Sequence, residues 1–280
     1  MKIAYFILAH HKPTMLNSLL QSIYDESNIY MIHVDAKSEE DVHRLAIQWA
    51  ESFSNIHILH SRSVTWGCWS LVQLELDAIK ELLRLDVEWT HYINLSGQDL
   101  PLVSQLNLKE FLETQPSTNF IQCIESTEKY KGVALNNFFI EDVGELKILG
   151  ERPPFEHYFI EGMKAFNGSQ WRIITREFAH YAVYSPLAFD MQDYFRYSHV
   201  SDEQYFQTLA MNSPFREKTL SKNFRYIVMS VGKDGLGRAN TLQSSSLFEL
   251  FNSDVFFARK FDDQIDPSII QVILQTLGSK

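Results

Sequence analysis

The sequence predicts an α/β fold, an open and mostly parallel twisted sheet with helices on both faces. Two observations carry this. Four apolar or alternating runs in the first half read as strands, and stretches with apolar residues at helical spacing lie between them. Strands that alternate with helices pair in parallel through right-handed crossovers. Composition agrees: 280 residues, 45% hydrophobic and 21% charged, suit an ordinary globular protein with a sizeable core.

The expected strands cover residues 3–9, 29–35, 56–60 and 91–96. Residues 13–24 read as a helix with Leu16, Leu19, Leu20 and Ile23 on one side. In "WSLVQLELDAIKELL" the residues Trp69, Val72, Leu76, Ile79 and Leu83 form a second apolar face. Residues 125–168, including "ERPPFEHYFIEG", show no periodic element longer than a turn or two and read as a long excursion that shapes a pocket. Strand "QWRIIT" and helix "REFAHYAVYS" follow, then "HVSDEQYFQTLA" and a tail with "NFRYIVMS", "GLGRA" and "VFFARKFD". With no repeat and no linker, the chain reads as one domain over 1–280.

Charge and cysteine usage exclude several classes. A formal net charge of -10 argues against a nucleic-acid binder, though it leaves room for a local basic pocket. Cys68 and Cys123 make neither a disulfide framework nor a cysteine zinc site, so a reducing compartment is expected. The apolar run of "MKIAYFILAHHKP" stops at two histidines without a small-residue cleavage site and reads as a buried first strand. No stretch is long enough to span a membrane. The expected location is cytoplasmic, with peripheral attachment to a membrane left open.

Ligands of such sheets bind beyond the carboxyl ends of the strands. Those ends are "LAHH", "HVDAKS" and "LSGQDLP". His10 and His11 are adjacent in an extended chain and should point oppositely, which favours polar loop residues over a metal pair. Asp35 either accepts hydrogen bonds from a ribose or base or forms a turn. "GKDGLG", residues 232–237, lacks the strand-turn-helix context of a phosphate loop. There is no His-Glu-x-x-His, no Cys-x-x-Cys and no Asp-x-Asp. Two carboxylates are needed to hold a divalent ion against a diphosphate, and the strand end reads Gly97-Gln98-Asp99 instead. A diphosphate would then need protein cations, with Arg238, Arg259 and Lys260 as candidates. In "HVSDEQYFQTLA", Ser201 and Gln204 have capping-box spacing. Asp202 and Glu203 are therefore either a helix cap or a cap and a catalytic base.

Six segments in order, "IHVDAKSEED", "WGCWSLVQLELDAIKELL", "YINLSGQDLPL", "FNGSQWRIITREF", "SDEQYFQTL" and "FFARKFD", resemble the core-2/I-branching glycosyltransferases. That family includes β-1,6-N-acetylglucosaminyltransferases and peptide O-xylosyltransferases, and the chain looks like a compact bacterial-type member. The resemblance implies a GT-A fold with a nucleotide-binding half over 1–124 and an acceptor and catalytic half over 125–280. It implies inverting transfer of a sugar from a UDP-sugar to a hydroxyl of a glycan or lipid-linked glycan, without metal or other cofactor. N-acetylglucosamine is the expected sugar and xylose the alternative. By position, Glu203 takes the role of general base. Arg238 and Lys260 cradle the diphosphate, with Arg225 of "NFRYI" competing with Arg238. Asp35, Trp66 and Asp99 fall in the nucleotide-sugar group, and Trp171 offers an aromatic face to a sugar. A glycoside hydrolase, which needs two carboxyls across the scissile bond, and a non-catalytic sugar-binding protein are the other classes considered.

Overall fold

A computed structural model describes residues 1–85, 88–127, 135–142, 145–232 and 237–278. The chain divides into two compact units, one formed by Met1–Ser61, Asn94–Gln115 and Phe224–Lys280, the other by Arg62–Ile93 and Pro116–Asn223. The expected α/β class is observed, with strands and helices alternating through the first half.

In the first unit, β1 (Ile3–Ala9), β2 (Ile29–Val34) and β3 (Ile56–Leu59) pair in parallel, Ala4 opposite Ile29 and Tyr30 opposite Ile56. β2 is buried along its whole length and β1 nearly so, as continuous apolar runs require in a covered parallel sheet. The helix α1 (Pro13–Ile23) opens on a proline, whose missing N–H costs nothing in a first turn, and buries the expected leucines. α2 (Glu40–Ser52) has no counterpart in the sequence reading. It buries only Val42 and Ala46, a stripe too thin to stand out.

The last residues of β4 (His91–Ser96), from Asn94 on, also belong to this unit. There the Gly97 amide donates to the Leu8 carbonyl at 2.8 Å. β5 (Leu100–Pro101) follows, then α4 (Gln105–Glu113), capped where Ser104 Oγ accepts from the Asn107 amide, while α3 (Trp69–Arg84) belongs to the second unit. Two tail strands complete a small sheet with β5. β13 (Arg225–Ile227) runs parallel to β16 (Phe257–Arg259), which is antiparallel to β5. β14 (Met229–Val231) and β15 (Gly237–Ala239) pair beside them in sequence as an antiparallel ribbon. The tail packs into the core of the unit: Leu250, Ala258, Phe261, Ile269 and Ile273 cluster with Met15 and Leu100.

In the second unit the strand order is β12 (Thr219–Leu220), β6 (Asn119–Ile121), β11 (Arg172–Thr175) and the start of β4, with β11 antiparallel to both neighbours. β7 (Ile124–Glu125) pairs with β10 (Phe166–Asn167). Where the sequence reading expected an irregular excursion, β8 (Asn137–Asp142) and β9 (Glu145–Glu151) form an antiparallel pair. β9 is exposed almost throughout, so neither face carries the apolar alternation by which a strand is recognised. Two helices follow β11, α5 (Arg176–Tyr184) and α6 (Pro186–Phe195), capped by the hydroxyls of Thr175 and Ser185. A 3-10 turn, Ser201–Glu203, then leads into α7 (Tyr205–Met211). Among the described residues no helix is long and apolar enough to cross a membrane.

Candidate active site

The turn that carries Asp202 and Glu203 starts from a strained residue. Val200 adopts left-handed dihedrals, φ 54° and ψ 43°. For a β-branched side chain this costs on the order of 1–3 kcal/mol and persists only where the surroundings enforce it. Enforcement comes from Gly67, whose carbonyl accepts the Val200 amide at 2.8 Å. Gly67 is itself left-handed, and a Cβ there would lie 3.3 Å from the His199 ring, so a glycine suits the position.

No capping box forms. The Glu203 amide donates to Val200 O and the Gln204 amide to Ser201 O, each at 3.1 Å, which leaves the Ser201 hydroxyl no amide to cap. That hydroxyl is buried without a hydrogen-bond partner among the described residues. The Gln204 side chain donates to the Val200 carbonyl instead of closing back on an amide. The helix proper begins two residues after Glu203.

The two carboxylates have different surroundings. Asp202 is 5% exposed, and its Oδ1 has no hydrogen-bond partner among the described residues. Glu203 keeps part of its surface in solvent. Burial raises Asp202 to about 6, and the Arg172 charge opposes the rise. Glu203 is raised to about 7, by burial first and then by the neighbouring Asp202 charge, again against Arg172. A carboxylate that titrates near neutrality with open surface is suited to taking a proton.

Arg172 escaped the sequence reading. It is fully buried at the start of β11, 3.0 Å from Glu75 Oε1 through Nη1, and its Nη2 donates to the Asp202 carbonyl at 2.9 Å. The Tyr92 hydroxyl donates to the same Glu75 oxygen at 3.1 Å. A hint was present. Glu75 lies three residues after Val72 and four before Ile79, on the apolar stripe of α3, where a lone carboxylate requires a buried partner.

Trp66 is 57% exposed, its ring edge-on to His199 at 6.3 Å. Trp171 is 5% exposed, so its ring is enclosed by protein rather than presented as an open face.

The remaining expected site residues lie in the first unit. Asp35 is buried at the end of β2, and one carboxylate oxygen accepts the Lys37 amide at 2.8 Å, the turn-forming role that sequence left as one of two. His10 and His11 do not diverge. The chain bends as it leaves β1, and their rings lie 3.9 Å apart between centroids. His11 is lowered by partial burial and then by the charges of Lys12 and Lys260. The Lys260 ammonium has no hydrogen bond or ion pair among the described residues. Arg238 is exposed on β15, opposite Ser230. Residues 233–236 of "GKDGLG" lie outside the described residues.

Arg225 and Asp99 are interior groups. Arg225 Nη2 donates to the Asn94 carbonyl at 3.1 Å, and its guanidinium stands 4.4 Å over the Phe257 ring. Burial lowers Arg225 to about 10. Asp99 has no exposed surface, accepts from both the amide and the hydroxyl of Ser96, and lies 3.4 Å from Arg259 Nε. Burial raises Asp99 against the nearby Arg259 and Arg225 charges. Among the described residues no group of three or more His, Cys, Asp or Glu is arranged to hold a metal ion.

Residues 3–244 match the family described as Core-2/I-Branching enzyme. The chain is 27% identical over 296 residues to xylosyltransferase 2 of Canis lupus familiaris, an alignment that covers 97% of this chain and 33% of the relative. It is 29% identical over 228 residues to a β-1,3-galactosyl-O-glycosyl-glycoprotein β-1,6-N-acetylglucosaminyltransferase of Bos taurus, covering 80% of this chain and 52% of that one. The chain thus spans about a third of the length of the curated xylosyltransferases it matches. Mouse xyloside xylosyltransferase 1 in its apo form is similar at a TM-score of 0.44 and 11% identity, over 91% of this chain and 97% of that chain.

Proposed function

Since the chain belongs to the Core-2/I-Branching enzyme family, we propose that it is an inverting glycosyltransferase that moves a sugar from UDP to a hydroxyl of a glycan. The observation that carries this reading is Glu203, a part-exposed carboxylate raised to about 7 on a strained turn. In the step, the acceptor oxygen attacks the anomeric carbon from the face opposite UDP. The new C–O bond forms as the bond to the phosphate oxygen breaks, UDP leaves with that electron pair, and Glu203 takes the acceptor's proton.

The departing UDP gathers negative charge, and Lys260 and Arg238 are the residues proposed to stabilise it. Lys260 offers an ammonium without an internal partner among the described residues, and Arg238 offers an exposed fork. The chain contains no Asp-x-Asp, which supports transfer without a divalent metal. N-acetylglucosamine is the proposed sugar, as in the name of the bovine N-acetylglucosaminyltransferase, and xylose is the second reading because several other matched relatives are named xylosyltransferases. A glycan or lipid-linked glycan acceptor reached from the cytoplasm completes the proposal.

The test is UDP release from a panel of UDP-sugars, with and without excess EDTA, for wild type and Glu203→Gln. Release from UDP-N-acetylglucosamine or UDP-xylose that survives chelation and is lost in the variant supports the reading. Activity lost to EDTA and restored by manganese would overturn metal independence. Wild-type release by Glu203→Gln would overturn the assignment of the base.

A further inference from the structure

We propose that Arg172 is a positioning residue for Glu203, holding the peptide plane that joins Asp202 to Glu203 through the hydrogen bond from Nη2 to the Asp202 carbonyl. The inference rests on the reading of Glu203 as the base and goes beyond it. A peptide group is planar, so fixing its carbonyl and its N–H fixes the direction in which the next residue leaves. Here both edges are held. Arg172 takes the carbonyl at 2.9 Å, and the Glu203 amide donates to Val200 O at 3.1 Å. The far side of Glu203 is held too, since its own carbonyl accepts the Gly168 amide at 2.9 Å. Only the side-chain torsions of Glu203 remain to adjust.

Arg172 can serve as a fixed point because it is itself held by an ion pair, which is braced in turn, and by an aromatic ring. Nη1 meets Glu75 Oε1, the Tyr92 hydroxyl braces that same oxygen, and the guanidinium carbon stands 3.9 Å from the centre of the Phe206 ring. Arg172 and Tyr92 have no exposed surface and Glu75 is 3% exposed. A buried ion pair adds little net stability over a well-packed apolar pair, so stability alone does not account for one here. Arginine also suits the task chemically. Its planar fork serves a carboxylate and a carbonyl at once in fixed geometry, whereas an ammonium is a single rotating point. The charged groups that act on Glu203 are Asp202 and Arg172.

Arg172→Ala alone would strand Glu75 in the interior, so the experiment uses two better variants. Arg172→Met with Glu75→Met removes both charges and keeps the volume. Arg172→Lys keeps the charge and loses the fork. Folding is checked by circular dichroism and thermal unfolding. Two readouts follow: kcat and KM with the UDP-sugar, and the titration midpoint of the Glu203 carboxyl carbon by NMR, assigned by comparison with Glu203→Gln. In the double variant kcat should fall about 10- to 100-fold, the usual loss when a reacting group is misplaced by about an ångström. KM should stay within about twofold, and the Glu203 midpoint should rise as the nearby positive charge disappears. Arg172→Lys should keep the midpoint and still lose about tenfold in kcat. A folded double variant with either wild-type kcat or an unmoved midpoint overturns the proposal. Full activity in Glu203→Gln would overturn the reading of the base itself. An inactive Glu203→Gln beside fully active Arg172 variants would overturn this inference alone.

Discussion

Arg259 places its Nε 3.4 Å from Oδ1 of Asp99, a carboxylate with no exposed surface. The pair joins tail strand β16 to the turn that follows β4, where Ser96 supplies Asp99 with an amide and a hydroxyl. Sequence offered Arg259 as one of three candidate cations for a diphosphate. Its side chain is 18% exposed and is committed to the interior of its unit.

Removing that arginine should therefore be costly to the fold. Arg259→Ala leaves the Asp99 carboxylate buried without its ion-pair partner, and should lower stability by about 2–4 kcal/mol. Adding Asp99→Asn should recover a large part of the loss. Urea unfolding of the two single variants and the double closes the cycle, and simple additivity would show that the two groups are not coupled.

Glu203→Gln should cut turnover by about 10²–10⁴-fold while UDP affinity is kept. The pH profile of kcat should rise through about pH 7, where Glu203 loses its proton. Asp202→Asn removes the negative neighbour that helps to hold that proton, so the rise should move to lower pH. A severe loss from Asp202→Asn with a mild one from Glu203→Gln would exchange the two roles.

Stability should also report the pair. Asp202 and Glu203 titrate at about 6 and about 7 in the folded protein, above their ordinary values of 3.8 and 4.5. The folded state thus holds more protons than the unfolded chain between those limits, and stability falls as pH rises through that window. Their contribution is fully present below about pH 4 and is lost once both are ionised. Urea midpoints measured from acid to neutral pH should decline less steeply in Asp202→Asn and in Glu203→Gln than in wild type. A variant slope equal to that of wild type would rule out the raised values.

In the tail, calorimetric titration separates three cations. Lys260→Ala and Arg238→Ala should each weaken UDP binding by about tenfold or more, the worth of a charge-assisted hydrogen bond. Arg225→Ala should act on stability, since its fork is spent on the Asn94 carbonyl and on Phe257. Wild-type UDP affinity in Lys260→Ala would leave that lysine without a role in the diphosphate site.

What could be read in advance depended on how local the signal was. β1 was legible to the residue because it is an uninterrupted apolar run, β4 because Tyr92, Ile93 and Leu95 stand out between its polar residues, and α3 because its stripe repeats over sixteen residues. β9 was not legible, since it is exposed almost throughout and buries no face. Capping-box spacing at Ser201 and Gln204 misled, because the left-handed Val200 sets up a 3-10 turn that uses the amides a cap would need. The Arg172–Glu75 pair was hidden for a plainer reason: its members are 97 residues apart, and only the folded chain brings them together. Asp99 has the look of a ligand-binding strand end in sequence, and its partner Arg259 likewise comes from the far end of the chain.

The first unit is written in three separate stretches, and the last of them supplies seven of the ten buried residues of the cluster that includes Met15 and Leu100. A ribosome emits β1 to β3 well before the residues that cover Met15. At about 5–20 residues per second, the opening stretch waits on the order of ten seconds for its tail, with apolar side chains uncovered. During that interval the uncovered surface is open to association with other chains. Soluble yield should accordingly respond to growth temperature and to the supply of chaperones, through the length of that wait, as well as to the melting point of the finished molecule.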